Sequence, residues 1–382
     1  MEIQRRLNLK QLLEKKSFFL MGPRSTGKST LIHQQLKEDA LILDLLEDEL
    51  YLRLSSHPQE LEKVASAAGR SVIVLDEIQK IPHLLNEVHR LIEKKKWRFL
   101  LTGSSARKLK GNASNLLAGR AWVANLFPLS WCELTETQFD LEKYLLFGGL
   151  PQVYLSDEPH EELAAYVRTY LAEEIRAEAL VRNVPVFTRF LEVAALSNGQ
   201  LINFTQIGSD SHVAPSTVRE HYFVLEDTLM GILLQPWAKS KKRKAIQTAK
   251  FYFFDTGVVH ALAGIKQLDR HSNLYGNAFE HFIGMELRAY LSYTRKHEDL
   301  KFWRSVNDQE VDYVIGDEVA IEVKSTAKIA PRHLSGLRAL AEERAFKKYF
   351  LISHDALPSK QGEILCLPWE QFLERLWADD IL

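Results

Sequence analysis

Short apolar runs alternate with stretches of helical period through the first third of the chain. Residues 17–21 are an apolar run that predicts a buried strand, and residues 29–36 behind it have helical spacing. Residues 41–45, 71–77 and 97–101 predict three further strands, the second ending in two acids. Buried strands separated by helical segments predict an α/β unit with a parallel sheet.

The pattern then changes. Residues 161–182 are helical and heavily charged, which predicts a solvated face. Phe147-Gly148-Gly149-Leu150-Pro151 is a breaker cluster and predicts a hinge between helices. Residues 190–196, 203–208 and 215–225 predict three helices, the last opened by Pro215 after a short polar turn. A strand over 231–236, a basic turn and a strand over 251–254 follow, so the segment has the order of a helix-turn-helix with a wing. In the last third, residues 276–287 predict a helix. Residues 301–304, 310–315 and 319–325 predict strands, while 348–352 and a helix over 369–377 read as structural.

Composition narrows the class. A chain of 382 residues is expected to fold as more than one domain, and 46% apolar with 26% charged residues is ordinary for a globular protein. A formal net charge of −1 gives no global attraction to nucleic acid, so any such site must be a local patch. Cys132 and Cys366 lack metal-ligand spacing and suit a reducing cytoplasm. No run approaches the 18 or so apolar residues of a membrane helix, and the start of the chain has no apolar signal core. The expected location is cytoplasmic.

The chemistry begins at the first strand. Gly22-Pro23-Arg24-Ser25-Thr26-Gly27-Lys28-Ser29 fits G-x-x-x-x-G-K-[ST], in which glycines let several backbone N–H groups face one anion. Lys28 adds positive charge for the outer phosphates of ATP, the Ser29 hydroxyl can ligate Mg²⁺, and Thr30 continues the helix aimed at the same phosphates. At the end of the 71–77 strand, Asp76 is expected to hold Mg²⁺ through water and Glu77 to orient or deprotonate the attacking water. Thr102 or Ser104, after the fourth strand, is placed to sense the γ-phosphate, although a helix N-cap is an equal reading of either. Arg107 and Arg120 are candidates for an arginine that reaches a neighbouring subunit of a homo-oligomer, with Arg120 first.

These motifs, with Leu-Asp-Glu-Ile-Gln, Leu-Thr-Gly-Ser-Ser, Ala-Gly-Arg and Pro-Leu-Ser, resemble the AAA-type ATPases of bacteria and archaea that carry a C-terminal domain of unknown function. The Phe-Gly-Gly-Leu-Pro and Tyr-Phe-Phe-Asp-Thr-Gly runs extend that resemblance over nearly the whole chain, and it implies an ATP-dependent switch or motor.

Two further sites are expectations. Lys241, Lys242, Arg243 and Lys244 would form a positive wing tip able to meet DNA phosphates, while the third helix offers only Arg219 and His221 to a nucleic acid. A solvated hairpin on a packing domain is the alternative. In the last third, Asp312, then Glu322-Val323-Lys324, after a helix carrying Glu280, resembles the PD-(D/E)XK nuclease fold. That resemblance implies Mg²⁺ on Asp312, Glu322 and Glu280, with Lys324 positioning water. The two acids share a strand face only if the intervening loop spans Gly316 to Glu318 with an odd number of residues. The alternative is an inactive scaffold.

The expected organisation is therefore α/β: a parallel-sheet P-loop ATPase core (1–135), a helical connector or lid (136–186), a winged helix (187–250) and an α/β nuclease-like domain (251–382). The expected function is ATP hydrolysis coupled to nucleic acid. The alternative is a nucleotide-controlled switch that binds a protein partner.

Overall fold

The structure, a computed structural model, describes residues 3–103, 117, 119–135, 139–171, 183–240 and 243–382. The chain forms two compact units, Met1–Phe127 with Asp227–Met230, and Pro128–Glu226 with Gly231–Leu382.

The first unit is built on five parallel strands, β1 (Ser17–Met21), β2 (Leu41–Asp44), β3 (Val72–Asp76), β4 (Arg98–Gly103) and β5 (Ala121–Asn125), in the order β2-β3-β4-β1-β5. β1, β3 and β4 are almost wholly buried, so they read as continuous apolar runs rather than alternating ones. Sequence periodicity misses β5, whose Ala121, Trp122 and Val123 are only partly covered, as suits an edge strand. Because β4 lies between β1 and β3, its last residues stand between the phosphate loop and Asp76.

The second unit combines helices with a six-stranded mixed sheet in the order β12-β13-β11-β10-β9-β8. Its strands are β8 (Leu300–Arg304), β9 (Glu310–Ile315), β10 (Val319–Lys324), β11 (Lys348–Ser353), β12 (Ser359–Gln361) and β13 (Ile364–Pro368). The central helix Asn273–Tyr293 is longer than its sequence suggests, starts on a Ser272 cap and passes so close to β9 that a Cβ on Gly284 would lie 2.3 Å from the Tyr313 hydroxyl. The helices Val184–Leu196, Phe204–Ser211 and Pro215–Asp227 precede the antiparallel pair β6 (Gly231–Leu234) and β7 (Lys250–Phe253).

The glycine cluster predicted as a hinge is a packed joint. Gly149 N donates to Asp255 Oδ2 (2.8 Å), and Val258 N to Asp255 Oδ1 (3.1 Å), so one buried carboxylate caps the helix Thr256–Ala263 and grips the Gly-Gly turn.

Glu286, also in this unit, accepts from Trp131 N (2.7 Å) and Trp377 Nε1 (2.8 Å), and burial pushes its carboxyl up to about 8. An unfolded glutamate loses its proton near its ordinary value of 4.5, so this group's contribution is full below that pH and is lost as pH rises through about 8. The loss is on the order of 4 kcal/mol. Urea midpoints should fall between pH 5 and pH 9, and Glu286→Gln, with no proton to release, should flatten that fall. Equal slopes for the two proteins would refute the assignment.

Candidate nucleotide site

The loop after β1 is shaped to hold an anion. Gly27, at φ 90°, leads into the helix Lys28–Leu36, and Ser25 is also left-handed at φ 56°. Gly22 has no room for a side chain, since a Cβ there would lie 2.4 Å from the Leu126 carbonyl oxygen. Thr26 is fully buried and donates to Pro23 O (2.8 Å), which closes the loop internally. Arg5 braces it from outside, donating to Thr26 O and Phe127 O at 2.7 Å each. Lys28 is buried and donates to Gly22 O (2.8 Å) and Pro23 O (3.0 Å), which places its ammonium across the loop's own carbonyls. Arg24, Ser25, Ser29 and Thr30 lie on the exposed side.

A chain of hydrogen bonds then links the first turn of that helix to the ends of β3 and β4. Ser29 Oγ donates to Asp76 Oδ2 (2.9 Å), and the Thr102 hydroxyl donates to Asp76 Oδ1. Glu77 N donates to Thr102 Oγ1 (2.9 Å), so the buried Thr102 joins the Asp76 carboxylate to the Glu77 backbone. Glu77 itself is left-handed at φ 60° and ψ 45°, an uncommon backbone for a non-glycine residue, and its carboxylate accepts from Gln79. Ser29 and Asp76 offer adjacent hard oxygens. Mg²⁺ is commonly held by such a pair together with nucleotide phosphates, so this donor set fits it.

Ser104 and Arg107 lie outside the described residues. Arg120 pairs with Glu93 and immediately precedes β5. Since Ala121 registers with Ser17 while the phosphate loop follows Met21, Arg120 stands at the opposite edge of the sheet, roughly 16 Å away at the usual rise per residue. It is not assembled with its own chain's loop.

The C-terminal acids are arranged differently from a metal centre. Ile315 pairs with Val319 and Tyr313 with Ile321, so the loop is the odd one, and the same register continued sets Asp312 opposite Glu322. The shared face is occupied by lysine, however. Lys324 Nζ lies 2.6 Å from Glu322 Oε1 and 3.5 Å from Asp312 Oδ2. Glu280 accepts from the Tyr252 hydroxyl and lies 3.3 Å from Lys250 Nζ. Among the described residues no three His, Cys, Asp or Glu side chains are gathered to hold a metal ion. Ammonium groups thus stand against Glu280, Asp312 and Glu322.

The basic turn also departs from expectation. Lys241 and Lys242 lie outside the described residues. Arg243 donates to Ala339 O (2.9 Å) and to Glu342 Oε2 (2.7 Å), and the turn is tied to β8 by Ile246 N to Arg304 O (2.9 Å). Arg243 is therefore a packing residue, whereas Lys244 is exposed. His221 is buried against Phe187 and Phe190, which lowers its pKa through desolvation and removes it from any exposed reading face. Arg219 is exposed, over the Phe204 ring at 5.0 Å.

Sequence reasoning missed Arg5, Lys250 and Glu310. Arg5 makes its contacts to backbone carbonyls and leaves no pairing signal in sequence.

Comparison with known proteins agrees with the N-terminal geometry. Residues 14–135 match an AAA domain, 138–269 a domain of unknown function (DUF8612), and 275–372 a second domain of unknown function (DUF4143). The first of these matches covers the parallel-sheet unit and its phosphate loop. An uncharacterized protein of Mycobacterium tuberculosis is 29% identical over 81% of this chain and 70% of its own length. One from Haemophilus influenzae is 26% identical over 75% and 78%. A shikimate kinase of Buchnera aphidicola is 29% identical over 43% of this chain and 85% of that enzyme. Among the described residues no helix is long and apolar enough to cross a membrane.

Proposed function

We propose that the protein is a Mg²⁺-dependent ATP hydrolase whose nucleotide cycle switches a C-terminal unit that binds a partner and cuts nothing. The observation that carries this is the hydrogen-bonded chain from Ser29 through Asp76 and Thr102 to the Glu77 backbone. Loop N–H groups between Arg24 and Thr30 take the phosphates, and Lys28 exchanges its bonds to Gly22 O and Pro23 O for the γ-phosphate. Mg²⁺, when bound, neutralises phosphate charge beside Ser29 and Asp76. Glu77 orients a water on the γ-phosphorus and accepts its proton as the bond to the bridging oxygen breaks. Arg120, at the far edge of its own sheet, can serve only another copy's nucleotide.

The three helices from Val184 to Asp227 with β6 and β7 we read as a winged helix used for packing. Action on DNA is the second reading, favoured by the exposed Arg219 and Lys244. Phosphate release measured with and without Mg²⁺ and DNA separates the two. We expect Mg²⁺-dependent release, lost by 100-fold or so in Lys28→Ala, and unchanged by DNA. Stimulation by DNA would favour the second reading, and no turnover under any condition would refute both.

A further inference from the structure

The second unit buries an unusual concentration of charge between β7, the helix Asn273–Tyr293 and strands β9 and β10. Lys250 opens β7 and is only 3% exposed, yet its ammonium is fully engaged, 2.5 Å from Glu310 Oε1 and 3.3 Å from Glu280 Oε1. It also lies 5.3 Å from the centre of the Phe302 ring. The second ammonium, Lys324, bridges Glu322 and Asp312. Three of the four acids have further partners. Asp312 Oδ2 accepts from Val323 N (2.8 Å), Glu280 from Tyr252, and Glu310 Oε2 lies 3.2 Å from Arg304.

We propose that Lys250 is the resident cation of this cluster, an ammonium seated on Glu280, one of the three acids to which the nuclease resemblance would give a divalent metal, while Lys324 takes the other two, so that the C-terminal unit is complete without a metal. A divalent ion and a lysine nitrogen in contact with Glu280 need the same space. Lys250 is held there because a buried ammonium is tolerated only beside acids. Acids outnumber bases here, since Glu280, Glu310, Asp312 and Glu322 face Lys250, Lys324 and Arg304, and Arg304 is also paired with Asp308. Glu322 Oε2 is buried and has no hydrogen-bond partner, and burial followed by the Asp312 charge raises the Glu322 pKa well above its ordinary value. Lys250 belongs to the hairpin rather than to the nuclease-like sheet, so the same contact fastens β7 to the acids of β9 and the central helix. The inference stands apart from the ATPase reading.

The test is Mn²⁺ titration of the full chain by electron paramagnetic resonance, in an Asp76→Asn background that removes the acidic metal ligand at the phosphate loop. We expect no site tighter than about 1 mM and no change in Tm with Mn²⁺. Lys250→Met should lower Tm by about 5 to 10 °C, with part of that fall recovered by Mn²⁺. Adding Glu280→Gln to Lys250→Met should abolish the recovery. Should Lys250→Met fail to fold, the titration of the Asp76→Asn protein decides alone. One Mn²⁺ bound there, and lost on adding Asp312→Asn, would overturn the proposal.

Discussion

Glu77→Gln is expected to cut ATP turnover by 100-fold or more while leaving ATP binding within about twofold. The substitution keeps the shape of the side chain and its contact with Gln79, and it leaves the Glu77 N–H on Thr102 untouched, because that bond is made by the backbone. The left-handed turn that aims the side chain is likewise a backbone property. Only the ability to accept a proton from water is lost. Lys28→Ala differs in kind, since it removes charge from the loop that holds the phosphates and should weaken binding as well as turnover. Fluorescent-nucleotide binding and phosphate release, measured on the same preparations, separate the two effects. A Glu77→Gln protein that turns over at the wild-type rate would assign the base elsewhere and leave Glu77 as a turn residue.

Much of this site was legible because the chemistry fixes both residue type and spacing. The glycines, Lys28, Ser29 and the acids ending β3 lie where an anion, a metal and a water require them. Thr102 was legible only as one of two candidates, and its position between Asp76 and Glu77 depends on β4 lying beside β3, which no local pattern encodes. Other features were hidden for the same reason. The basic run reads locally as a free tip, but Arg243 finds Glu342 ninety-nine residues away in sequence. Lys250 is a single lysine at the start of a strand, without periodicity or motif, and its partners Glu280 and Glu310 belong to other elements. The odd loop between β9 and β10 could be stated as a condition from parity alone, yet parity says nothing of which cation meets the acids.

The Gly-Gly-Leu-Pro turn shows how a local rule can give the right boundary and the wrong mechanics. Gly148 has φ 74° and ψ −170°, a region essentially restricted to glycine. A Cβ there would lie 1.9 Å from Asp255 Oδ1, and one on Gly257 would lie 2.0 Å from the Phe147 carbonyl oxygen, so the two segments touch without side chains between them. Asp255 is dry enough that burial, against the pull of its N–H donors, pushes its carboxyl up to about 6. Gly148→Ala should therefore cost on the order of 4 kcal/mol or more, as backbone strain and overlap with a buried acid act together. Gly264→Ala is the reference, because Gly264 is ordinarily left-handed at φ 71° and ψ 20° with nothing within 4 Å of where a Cβ would lie, and its cost should be only the left-handed strain of about 1 kcal/mol. The difference between the urea midpoints of the two variants reads the contact together with the more restricted dihedral of Gly148. A Gly148→Ala protein as stable as Gly264→Ala would mean that Asp255 swings aside at little cost, and the turn would then be the pivot that its glycines suggest.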